Sequence, residues 1–298
     1  MKDSREMKKT PHSTKEKEPL MIPEVEEMQH VGVVQAQMAM GARTLTFASM
    51  LHEAVDVWRR RDVGFQLPDW AIEPLSDRKD QATLTENEQQ RFLCALNVLI
   101  ANGTFGSLVD IHADMTHQMH GTQRFLPWHR VYLRQFELAL QSNHPDVTLP
   151  YWDWTQPGEE SVPGWLVAFT PTIITPTQTI PVTRSPGTAS DLAGIASNVP
   201  SIMSQSAFAT FTSQLEGIVH NSIHVWVGGS MSSVPTAPAD PLFWMHHANI
   251  DRLWWVWQNS SAGTGQNPSL SGSAAIMDPW PTTEAQTRDI TAMGYTYP

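Results

Sequence analysis

A mainly α-helical fold with long irregular loops and a few short strands is what this sequence predicts. Three observations carry that expectation. Apolar residues recur at helical spacing in five stretches, beginning near residues 85, 105, 127, 208 and 241. Residues 155–200, rich in Pro and Thr, exclude a long helix. The chain of 298 residues is 41% hydrophobic and only 16% charged, which suits a packed globular body.

The elements follow in order. Residues 1–30 mix charges of both signs and read as a flexible charged tail, with a single domain expected over 31–298. One helical piece is expected near "ASMLHEAVDVWRRR". Thr85 and Glu88 have the spacing of a capping box. Phe92, Leu96, Leu99 and Ile100 then line one helix face, which Gly103 can end. A second helix is expected from Phe105 to about Met119, with Leu108, His112 and Met115 on one face. A third starts near Pro127 and aligns His129, Leu133, Phe136 and Leu140. Between 155 and 200 a surface excursion with short strands is expected. Helical spacing returns in "FATFTSQLEGIVHNSIHVW", breaks at "VGGSMSSVPTAPAD" and resumes at Pro241.

Composition narrows the partners. A net charge of −11 argues against nucleic acid or anionic lipid. Cys94 is the only cysteine, so neither an intrachain disulfide nor a thiolate cluster can form. The N-terminal stretch has no apolar core of a secretory signal, and no segment is long enough to span a membrane. A cytoplasmic protein is therefore expected, or one exported with a partner's help.

The chemistry lies in the histidines. Of twelve, eight fall in two windows: His112, His117, His120 and His129 in the first, His220, His224, His246 and His247 in the second. His220 and His224 are four residues apart, so two imidazoles share a helix face and can meet one metal ion. In "DPLFWMHHANIDRLWWVW" a helix aims only one of the paired histidines at a given target. Phe243, His247, Ile250, Trp254 and Trp257 form an uninterrupted apolar stripe, whereas Asn249 interrupts the stripe through His246. Periodicity leans toward His247 as the inward residue without deciding it, and His246 would then point aside toward the mouth of the site. Imidazole ligation suits zinc, copper, iron or nickel. Two-metal hydrolases bridge their ions with carboxylates, which are scarce in these windows. The balance tilts toward a redox pair of coppers.

"FLPWHRVYLRQFELAL", "LPYWDW", "HNSIHVWVGG" and "DPLFWMHHANIDRLWWVW", in that order, resemble the tyrosinase family of dicopper phenol oxidases, especially its compact bacterial members. The resemblance covers residues 84–298 and ends in "GYTYP". It implies a four-helix bundle holding two copper ions, with O2 as co-substrate. His112, His120 and His129 match the ligands of the first copper, with His117 the competitor for His112. His220, His224 and His247 match those of the second.

The resemblance further implies o-hydroxylation of monophenols and oxidation of o-diphenols to o-quinones, so small phenols and catechols are the expected partners. A copper chaperone is compatible with it. Asn221 matches a residue that helps a glutamate, here Glu216, in proton handling. Val234 falls where some relatives place a bulky residue over the second copper, which implies an open pocket with His246 beside it, and Val225 where some carry a charge, which implies a weaker preference for carboxylated substrates. Cys94 precedes His112, so the thioether to a ligand histidine found in some relatives is not expected. The other readings are a catechol or o-aminophenol oxidase, a haemocyanin-like O2 carrier and, more remotely, a dizinc hydrolase.

Overall fold

The computed structural model describes residues 75–298; the expected tail and the helical piece at 48–61 lie outside the described residues. Four helical segments carry the clustered histidines, and the fold is best followed through them. Helix α1 (Glu86–Ala101) starts at the expected capping box, with Thr85 N–H donating to Glu88 at 2.8 Å and Glu88 N–H to the Thr85 hydroxyl at 3.3 Å. It ends before Gly103, whose φ of 81° is a left-handed conformation that glycine adopts without steric cost. Its buried residues Phe92, Leu96 and Leu99 belong to the common core.

Helix α2 (Thr104–Ala113) is shorter than expected, and the forecast continuation to Met119 is wrong. Asp114 leaves helical geometry, its carboxylate accepting from Thr116 N–H at 2.9 Å and opening a 3-10 turn over Met115–His117. A local side-chain bond of this kind competes with the helical ladder. Met115 is consequently exposed rather than on a buried face.

Gly106, on α2, lies against the hairpin formed by β2 (Thr172–Ile174) and β3 (Thr179–Pro181), following β1 (Ser76–Asp77). A Cβ at Gly106 would run into the carbonyl oxygen of Ile174, which is backbone and cannot swing away. Gly106→Ala should therefore destabilise the protein by roughly 1–3 kcal/mol. That outweighs the ~1 kcal/mol gained from better helix propensity. A lower urea midpoint at unchanged slope is the expected result; an unchanged or higher midpoint would contradict the packing argument.

Helix α3 (Phe125–Asn143) packs against α1. Pro127 sits in its first turn, where a missing N–H costs no intrahelical bond. The excursion after it holds the hairpin, a helical turn at Gly164–Val167, and two short helices that periodicity did not foretell, α4 (Ala189–Ala196) and α5 (Val199–Met203). Thr188 and Asp191 form a second capping box at α4.

The stretch 208–227 is one continuous coil of three parts: α6 (Phe208–Gln214), a π-helical turn (Leu215–His220) and α7 (Asn221–Val227). Helix α8 (Pro241–Gln258) begins with Asp240 accepting from Leu242 N–H at 2.9 Å. Arg184 grips the same carboxylate through two contacts of 2.7 Å. Helices α3 and α8 pack directly on one another, and six fully buried tryptophans, among them Trp128, Trp154, Trp244 and Trp254, fill the space around them. Strand β4 (Tyr295–Thr296) closes the chain beside β1 in parallel. Among the described residues no single helix is long and apolar enough to cross a membrane.

Candidate metal centre

His112, near the end of α2, His120, in the loop beyond it, and His129, in α3, converge with one ring nitrogen each within 4.8 Å of the others. The Nε2 atoms of His112 and His129 are 3.3 Å apart. Outer contacts set their tautomers. His112 Nδ1 donates to the Val234 carbonyl at 3.0 Å, and His129 Nδ1 to the Phe125 carbonyl at 2.8 Å. A carbonyl can only accept, so in each neutral ring Nε2 keeps a lone pair, and it faces inward.

The second group is tighter still. His220, at the end of the π turn, His224, in α7, and His247, in α8, bring their Nε2 atoms within 3.0–3.2 Å of one another. His224 Nδ1 donates to the Met231 carbonyl at 2.9 Å and His220 Nδ1 to Asn221 Oδ1 at 3.0 Å. The groups adjoin: the rings of His129 and His247 stack at 4.5 Å.

Electrostatics point the same way. Burial holds all six imidazoles below their ordinary range, with neighbouring histidines adding to the effect on His112, His129, His220 and His247. His120 and His224 are lowered to about 4, chiefly by burial. Neutral rings aiming lone pairs at one another repel unless a cation stands between them. A triangle of nitrogens with edges near 3 Å accommodates metal–nitrogen bonds of about 2 Å, so the donors fit a divalent ion in each group.

The shifts have a consequence for acid stability. A histidine whose folded value lies below its unfolded one favours unfolding wherever only the unfolded chain is protonated. The metal-free protein should lose stability as pH falls from about 6.5 toward 4. Bound copper should move that loss to lower pH; identical urea midpoints at pH 7 and pH 5 without metal would contradict it.

The remaining sequence candidates have definite places. His117 is not in the first group: its Nδ1 bonds Asp278 at 2.6 Å and its ring stacks on Trp128. Glu216 is 7% exposed and accepts from Gly121 N–H at 2.7 Å, so it clasps the loop just after His120. Burial pushes its carboxyl up to about 7, against the opposing pull of that bond. Val225, beside His224, and Val234 are both exposed. The backbone carbonyl of Val234 is tied to His112 of the first group.

His246 requires a correction too. It does not point to a mouth but is fully buried, stacked on His220 at 5.4 Å, because the segment through Trp154 covers it. Cys94 is exposed on α1, apart from both groups. Sequence reasoning passed over Phe125, packed on His129 and His220 with ring centroids at 4.9 and 4.7 Å. Phe243, 4.0 Å from His247, did stand in the apolar stripe. The Gly121 amide left no sequence signal.

A helical fold enclosing two adjacent three-histidine groups defines a class: proteins that hold a pair of metal ions by imidazole alone. Comparison with known proteins narrows it. The family model described as the common central domain of tyrosinase matches residues 102–186 and 160–260. The tyrosinase of Streptomyces glaucescens is 33% identical over 245 residues, covering 67% of this chain and 89% of that protein. A functional unit of octopus hemocyanin shares the fold with a TM-score of 0.63 and 26% identity, over 74% of this chain and 68% of that one. The Burkholderia thailandensis tyrosinase has a TM-score of 0.61 at 19% identity, over 75% of this chain and 73% of its own, and shows the fold alone.

The chain belongs to the tyrosinase family. It is a type-3 copper oxidoreductase of that family, whose cofactor is a pair of copper ions.

Proposed function

We propose that this protein is a tyrosinase, hydroxylating monophenols ortho to the hydroxyl group and oxidising o-diphenols to o-quinones with O2. His112, His120 and His129 would hold one copper, and His220, His224 and His247 the other. The observation that carries the reading is the convergence of six neutral imidazoles in two adjacent triads, four with their tautomers set by outer partners. Bound copper supplies the electron transfer to and from O2 that no side chain can provide.

The chain's own residues supply the rest. Phe125 and Phe243 pack against the rings and limit water at the site, which strengthens every charge interaction there. Asn221 fixes the orientation of His220. The exposed side chains of Val225 and Val234, flanking His224 and the strap over His112, favour an approach for a flat phenol. Glu216 takes the proton that the phenol must lose, free phenol having a pKa near 10. A buried carboxyl poised close to neutrality suits a general base.

That role fixes a direction with pH. Glu216 accepts a proton only when ionised, so hydroxylation should fall as pH drops through its value, at or somewhat below about 7 because nearby copper charge favours the carboxylate. Glu216→Gln should lower monophenol kcat by roughly 10²–10⁴-fold and remove that acid limb. Catechol turnover should fall less. Equal losses on both substrates, with the pH limb intact, would refute Glu216 as the base.

The test of the whole reading is to load the chain with copper and measure O2 uptake and quinone formation with a monophenol and a catechol separately. Consumption of both supports a tyrosinase; catechol alone means a catechol oxidase. The kinship with hemocyanin favours one further reading, an O2 carrier, which would take up O2 reversibly and turn over neither.

A further inference from the structure

His246 and His247 offer the same chemistry at adjacent positions, and burial does not choose between them. Both are buried, and both place a ring nitrogen within 4.8 Å of those of His220 and His224. His246 lies edge-on to His224 at 5.1 Å as well as stacking on His220.

The partner at Nδ1 separates the two rings, and the contacts at Nε2 follow it. The indole nitrogen of Trp154 is 3.1 Å from His246 Nδ1, and an indole N–H can only donate. Nδ1 of His246 must therefore present its lone pair to Trp154, and the ring's one proton sits on Nε2. That nitrogen is buried without a hydrogen-bond partner. With one lone pair engaged and the other nitrogen protonated, His246 has nothing left to give a metal. The Nδ1 of His247, by contrast, meets no donor, and its Nε2 faces those of His220 and His224 at 3.1 and 3.2 Å.

Trp154 is held in place by a strap laid along α8. Trp152 N–H donates to the Met245 carbonyl at 3.1 Å, one residue before the pair. The buried Asp153 carboxylate takes Arg252 at 2.9 Å and Asn249 at 3.4 Å, both from α8. Trp154 has no solvent exposure, so its N–H has no competing water.

We propose that Trp154 is a positioning residue that decides which of the paired histidines becomes the ligand, by locking His246 in the tautomer that cannot bind metal. The proposal rests on the assignment of His247 as a ligand, and the two are separable by experiment. Long-range proton–nitrogen correlation spectra of the copper-free full chain, with labelled imidazoles, report each tautomer directly. His246 should appear protonated at Nε2 alone, and Trp154→Phe should abolish that single form.

Copper counts supply the second arm. His246→Ala should keep two ions per chain and His247→Ala only one, while Trp154→Phe should weaken the second ion by about tenfold or more. A wild-type His246 protonated at Nδ1, or a folded Trp154→Phe chain with the tautomer unchanged, would overturn the lock while leaving the ligand set standing. Loss of a copper in His246→Ala but not in His247→Ala would overturn the ligand set whatever the spectra show. Should Trp154→Phe fail to fold, the wild-type spectrum decides alone.

Discussion

Alanine at His129 should release one copper ion per chain and abolish turnover of both monophenols and catechols; alanine at His224 should do the same through the other ion. Each removes one of three nitrogens from a triad, leaving a pair. Loss of an outer partner alone costs roughly 10–100-fold in metal affinity or activity, and loss of a ligand should cost more. His129 adds a second effect. Its ring stacks on His247, so its removal should also loosen the other ion, which His224→Ala cannot do to the first by the same route. Copper content after dialysis against a weak chelator is the measurement. His144→Ala, at the C-terminal cap of α3, serves as a control expected to keep both ions. Two tightly held coppers in His129→Ala would dismiss the assignment.

Asp251→Ala should destabilise the protein by about 3–5 kcal/mol. The carboxylate is 3% exposed and serves four donors. Arg130 Nε reaches Oδ1 at 2.5 Å, and Arg78, Tyr295 and Tyr297 reach Oδ2 at 3.4, 2.7 and 2.7 Å. Glu137, fully buried, takes the other side of Arg78 at 2.9 Å. Without Asp251 a buried guanidinium loses its counter-charge, and two tyrosine hydroxyls lose an acceptor.

A loss of that size is a large part of the 5–15 kcal/mol that holds a typical domain together. The change should also free the C-terminal segment, since Tyr295 and Tyr297 are the residues it anchors, with Arg78 lying 3.6 Å over the Tyr295 ring. Urea unfolding gives the number. Asp251→Asn should lose less, because it keeps an acceptor for the tyrosines; a loss under 1 kcal/mol in the alanine variant would show that the network carries no stability.

Much of the site is legible without a structure, for physical reasons that can be named. His220 and His224 announce themselves because four-residue spacing puts two side chains on one helix face. His247 stands out from His246 because its stripe is apolar throughout, although the structure buries Asn249 and His246 as well. The capping box at Thr85 is equally local, and it forms as expected. The early end of α2 was hidden, since Asp114 had to outcompete a helix that periodicity favoured. The π turn was hidden too: it widens the coil by one residue without disturbing the apolar pattern, so Glu216 looked like a plain i−4 neighbour of His220.

The sequence by itself determined the main helices and the donor types: helices with histidines on their inward faces, an excursion that proline keeps from forming one long helix, and imidazole in place of thiolate or carboxylate. These depend on local geometry and on side-chain chemistry, both written along the chain. Only the tertiary structure decided which lone pairs face inward, that His117 turns to Asp278 instead of the first triad, that Glu216 clasps the amide after His120, and that Trp154 takes the nitrogen of His246. The last three of those choices rest on hydrogen bonds between residues roughly 90–160 positions apart. No periodicity encodes such a contact, because its partners meet only after the helices have packed.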